Sequence, residues 1–110
     1  MIEETVQRIE ARIQGAEAIP GERRAELLEL LATLKSEVAS LSQTHAEQAG
    51  SIAGFTDVST HEATRTEPDP QLLKLSLEGL SQSAKGFEAS HPQLIETVGN
   101  ISRALANLGI

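Results

Sequence analysis

The stretch Leu27-Leu28-Glu29-Leu30-Leu31-Ala32-Thr33-Leu34-Lys35-Ser36-Glu37-Val38-Ala39-Ser40-Leu41 decides the fold of this chain. Leu27, Leu31, Leu34, Val38 and Leu41 follow one another at alternating steps of four and three. That spacing places all five on one stripe of an α-helix, whereas a strand would alternate by two. The same pattern occurs at Ile2, Val6, Ile9, Ile13 and Ala16, at Leu73, Leu77, Leu80, Ala84 and Phe87, and at Leu94, Val98, Ile101, Leu105 and Leu108. Helices are expected over about 2–18, 20–45, 70–89 and 91–108. The second has a wider apolar arc, because Leu28 and Leu30 flank its stripe and Ala25, Ala32 and Ala39 add small residues. An arc of that width predicts more than one neighbour, in a bundle or at a dimer seam.

Turn and capping residues divide the stripes in the same places. Gly15 and Ile19-Pro20-Gly21 separate the first two helices, and Pro20 suits the opening turn of the second. Asp69-Pro70 reads as a cap followed by a first-turn proline. Ser90-His91-Pro92-Gln93 has the spacing of a capping box, with Ser90 as the cap. Gly109 stands where a left-handed C-cap belongs, with Ile110 folding back onto the last turn. Residues 46–69 differ in composition. Ala, Gly, Ser and Thr dominate, and Gly50 and Gly54 each cost ~1 kcal/mol in a helix. A weak register through His45, Gln48, Ile52 and Phe55 predicts a partly helical connector, with a linker from about Thr64.

Composition limits the function classes. The chain has 110 residues, the size of one domain, and its apolar content of 39% includes only two aromatic residues, Phe55 and Phe87. Enzyme pockets and binding hot spots lean on aromatic area, which is scarce here. With no cysteine there is no disulfide framework and no thiolate nucleophile or metal site. The net charge of −7 contains no basic stripe, so nucleic acid is not an expected partner. Arg23-Arg24 is too short to form a nucleic-acid patch. No run approaches the ~18 apolar residues of a spanning helix, and Met1-Ile2-Glu3-Glu4 has no signal-peptide character. A cytoplasmic protein with no membrane association is expected.

Phosphate loops, nucleophile elbows and zinc spacings do not occur in the sequence, and His45, His61 and His91 are scattered. No catalytic residue, cofactor or metal ligand is assigned. Phe87 belongs to its stripe and reads as core. Ile52 and Phe55 are large apolar residues in a small-residue, acidic segment. They read first as packing back on the bundle and otherwise as an exposed patch. Leu28, Leu30, Ile52 and Phe55 are therefore the candidate interaction surface.

Leu75-Ser76-Leu77-Glu78-Gly79-Leu80, Phe87-Glu88-Ala89-Ser90-His91-Pro92 and Leu105-Ala106-Asn107-Leu108-Gly109-Ile110 together resemble an uncharacterised bacterial family of short helical proteins of unknown function. Ser51-Ile52-Ala53-Gly54-Phe55 and His61-Glu62-Ala63-Thr64-Arg65 are similar to its longer members. The resemblance implies a family and no mechanism. The expected architecture is a single all-α domain over residues 1–110, with a first hairpin at 2–45, a connector at 46–69 and a second hairpin at 70–110. The hairpins close as a four-helix bundle or exchange across a dimer. The expected function is a non-enzymatic interaction or structural role through helix packing, as a homo-oligomer with the dimer favoured. A bundle carrying an apolar small ligand is the alternative.

Overall fold

Five helices are present in the structure, a computed structural model that describes residues 2–109: α1 Ile2–Gly15, α2 Gly21–Ser42, α3 Ala46–Thr64, α4 Pro70–Ala84 and α5 Pro92–Gly109. No strand occurs among the described residues, so the chain is all-α. The four stripes supply the core. Val6, Ile9 and Ile13 of α1, all five stripe residues of α2, Leu80, Ala84 and Phe87, and Leu94, Val98, Ile101 and Leu105 belong to one buried cluster. Large aliphatic side chains buried in this way each contribute roughly 1.5–3 kcal/mol. The Cα radius of gyration of 12.8 Å is close to the ~13 Å of a folded chain of about 100 residues. The helices therefore close on one another within one chain.

The main departure from expectation is α3. Residues 46–64, expected as a partly helical connector, form 19 residues of continuous helix, and only 65–69 are linker. This helix packs against each of α1, α2, α4 and α5, most extensively against α4. Its buried face is Ala49, Ile52, Ala53, Thr56, Ser59 and Thr60. Small side chains let several neighbours approach one helix axis at once, since interaxial distance follows the size of the contact residues. Tertiary burial then outweighs the weak helix propensity of Gly50 and Gly54.

Polar atoms on the buried face of α3 are largely satisfied within the helix. Thr56 donates to the Ile52 carbonyl at 2.8 Å, Thr60 to that of Thr56 at 2.8 Å, and Thr64 to that of Thr60 at 2.7 Å. A threonine bonded this way presents its methyl to a neighbour and asks for no partner across the interface. Ser59 Oγ is an exception, buried with no hydrogen-bond partner.

The helix ends follow local chemistry. Asp69 accepts from the backbone N–H groups of Gln71 and Leu72 at 3.1 and 3.2 Å, with Pro70 in the first turn. Pro20 precedes α2, and its carbonyl accepts from Arg24 N–H at 2.9 Å. The capping box at Ser90 does not form, because Ser90 Oγ pairs with His91 Nδ1 at 2.9 Å. The His91 carbonyl instead accepts the Ile95 N–H, so the helix begins one residue later than a Ser90 cap requires. The turn from α4 to α5 depends on Gly86, whose φ of 104° is open to glycine and costly for other residues. Gly109 lies in the last position of α5, and the predicted packing of Ile110 falls outside the described residues. Arg24 closes the C-terminal end of α1, donating to the Ala16 and Ile19 carbonyls at 2.7 and 3.0 Å.

Leu34 is fully buried at the centre of α2, whereas Leu30 is half-buried beside it. Leu34→Ala should therefore lower stability by ~2–5 kcal/mol and Leu30→Ala by clearly less. Urea unfolding midpoints check this ordering, and equal midpoints would contradict it.

Candidate interaction surface

The four candidate residues do not form one surface. Leu28 and Leu30 are partly buried and pack against the core of their own chain. The wide arc of α2 is taken up by its three neighbours α1, α3 and α5. Ile52 is fully buried. Phe55 alone is exposed, at 39%, and it is accompanied by Val58 at 48%, Leu72 at 43% and Leu75 at 51%.

These four residues lie on one helical hairpin. Phe55 and Val58 are one turn apart on α3, and Leu72 and Leu75 are one turn apart on α4. The five-residue linker makes α3 and α4 antiparallel neighbours, and Phe55 lies over Gly79 of α4. A Cβ at position 79 would overlap the Phe55 ring, so glycine is required there by the approach of the ring to the α4 backbone. The same antiparallel register carries Val58, one turn on, to the level of Leu75. The result is an apolar ridge along the outside of the hairpin.

The hairpin that carries the ridge is acidic, with Glu47, Asp57, Glu62, Glu67, Asp69 and Glu78 against Arg65 and Lys74. Asp57 is paired with Arg8 of α1 at 2.9 Å. Glu62 is largely buried and accepts from Arg65 at 2.7 Å, which holds the guanidinium above its ordinary pKa. His61 Nε2 lies 3.9 Å from the same carboxylate. On α4 the only charged residues are Lys74 and Glu78, one turn apart and exposed.

Other features were open to a chemical role. His45 and His91 approach Phe87 edge-on, with ring centroids at 5.3 and 5.7 Å, and tie the α2–α3 junction to the α4–α5 turn. An open groove of about 980 Å³ runs over Gly50, Ala53 and Gly54 beside α1, and another of about 720 Å³ lies between α4 and α5. No group of three or more His, Asp or Glu placed to hold a metal occurs among the described residues. No helix among them is long and apolar enough to cross a membrane.

Sequence reasoning missed Val58, Leu72 and Leu75. The available signal was their position off the main stripes, with Leu72, Leu75 and Gly79 forming a second, thinner stripe on α4. The Phe55–Gly79 contact yields a sign test. Gly79→Ala should gain ~1 kcal/mol of helix propensity when Phe55 is replaced by alanine, and should lose that gain against the native ring. A double-mutant cycle in denaturant measures the coupling, and additive effects would show that the ring does not rest on Gly79.

Comparison with known proteins adds a family. No curated protein and no solved structure matches the chain. Residues 27–110, which run from the second turn of α2 through α5 and include the whole ridge, match the model of a domain of unknown function. The chain belongs to this family, DUF4404.

Proposed function

We propose that this protein is a non-enzymatic interaction protein that acts through helix packing, and that the α3–α4 ridge is the surface it uses. The observation that carries this reading is the grouping of four exposed large apolar side chains, Phe55, Val58, Leu72 and Leu75, on one hairpin. Single exposed apolar residues are ordinary, whereas a contiguous group is the usual mark of a contact surface. Phe55 adds aromatic area held at a fixed height by Gly79, and buried aromatic anchors dominate interface energetics. The cysteine-free, acidic composition supports a cytoplasmic setting and argues against nucleic acid as the partner. The alternative of an apolar-ligand carrier has less support, because Leu, Ile and Val fill the space between the helices and the grooves open to solvent.

Site-specific photo-crosslinking in cells of the protein's own source tests the reading. A photoreactive phenylalanine analogue at position 55 should give adducts of discrete mass. The same analogue at Gln14, exposed on α1, should not. No discrete adduct from position 55, or identical products from both positions, would overturn the proposal.

A further inference from the structure

We infer that the occupant of the α3–α4 ridge is a short cationic amphipathic segment of another protein, with apolar side chains seated on the ridge and Lys or Arg beside them. This rests on the ridge being the interaction surface and adds the chemistry of the partner. The α3–α4 hairpin holds Glu47, Asp57, Glu62, Glu67, Asp69 and Glu78 against Arg65 and Lys74, which is −4 of the chain's −7. The exposed large apolar side chains and most of the net charge therefore fall on the same hairpin.

Pairing within the chain leaves several of these acids open. Asp57 is taken by Arg8 and Glu62 by Arg65. Glu47, Glu67 and Glu78 close no ion pair among the described residues. Asp69 accepts from the Leu72 N–H, so Asp69 and Glu67 stand at the Leu72 end of the ridge. Glu78 lies one turn beyond Leu75 and directly precedes Gly79, the residue beneath the Phe55 ring. Acid thus borders the apolar group at both ends.

Charge then selects among partners. A second copy would set one −4 hairpin against another, and nucleic acid or an anionic lipid surface would bring phosphate. A cationic segment gains at both ends of the ridge, and charge complementarity speeds encounter and rejects like-charged competitors. Extent sets the size of the partner. Four half-exposed side chains offer less apolar area than a domain-sized interface needs, which fits a single amphipathic segment bound weakly. Affinity leans on charge and falls as salt is added.

Fluorescence anisotropy with the purified full chain tests this. The probe is a labelled Leu/Lys peptide of about 14 residues, roughly four helical turns, with its leucines on one face. The native chain should bind it, and raising salt from about 50 to about 300 mM should weaken binding about tenfold. A Leu/Glu peptide of the same pattern should not bind. Leu75→Lys should abolish binding with unchanged helix content, since position 75 is exposed. Glu67→Gln combined with Glu78→Gln should weaken binding about fivefold. Glu26→Gln combined with Glu29→Gln, an equal change in net charge at exposed positions of α2, should leave it unchanged. A native chain that ignores the Leu/Lys peptide overturns the inference, as do equal losses from the two double variants. The adducts formed at position 55 in cells separate the inference from the reading beneath it. Peptide mapping should place the crosslink in a segment rich in Lys and Arg. Discrete adducts mapped to a second copy of this chain, to lipid or to an acidic segment overturn the cationic partner and leave the interaction surface standing. Absence of any discrete adduct removes both.

Discussion

A helix that touches four others has little room for side chains of its own, and α3 is built under that constraint. Its buried positions are alanine, threonine and serine with a single isoleucine and, near its end, Glu62, so the α1–α2 pair, α4 and α5 can all approach it. Buried hydroxyls would ordinarily cost free energy unless partnered. Here the series Thr56, Thr60 and Thr64 turns each hydroxyl onto the carbonyl one turn back, so the neighbours need only supply apolar contact. The other helices carry the large residues that fill the spaces around this thin axis.

The same constraint shapes the outer face of the hairpin. Because α3 and α4 pack closely, with Thr56, Ser59 and Ser76 among their buried residues, their outward side chains stand next to one another. Phe55 cannot enter that close contact and instead lies across the notch that Gly79 leaves in α4. The ring is held by backbone on one side and meets solvent on the other. Close packing inside the hairpin and an apolar ridge outside it have a common origin.

The parts of the fold built from large residues were legible in the sequence. The stripes of α1, α2, α4 and α5 announced themselves through Leu, Ile and Val at helical spacing, and Asp69-Pro70 marked a helix start. The segment at 46–64 was harder to read because its buried face is polar in composition and its glycines oppose helix formation. Following its large residues through His45, Gln48, Ile52 and Phe55 led onto the wrong stripe. The buried positions run through Ala49, Ile52, Thr56 and Ser59, a four-three spacing written in small side chains. That slip put Phe55 and Ile52 together, although the structure buries one and exposes the other. Leu28 and Leu30 misled for the opposite reason. A wide apolar arc says that a helix has several neighbours, and it does not say whether they belong to the same chain.

The central claim is that α3 is the axis on which the other helices depend, and native-state hydrogen exchange tests it most directly. Buried backbone in the last cooperative unit to open exchanges only through global unfolding. The account predicts that the amides of Ile52, Ala53, Thr56 and Thr60 are among the slowest in the chain, with protection that falls in step with global stability as denaturant is added. Fast exchange across 46–64, while α1–α2 and α4–α5 stay protected, would contradict it and return that segment to the role of a connector.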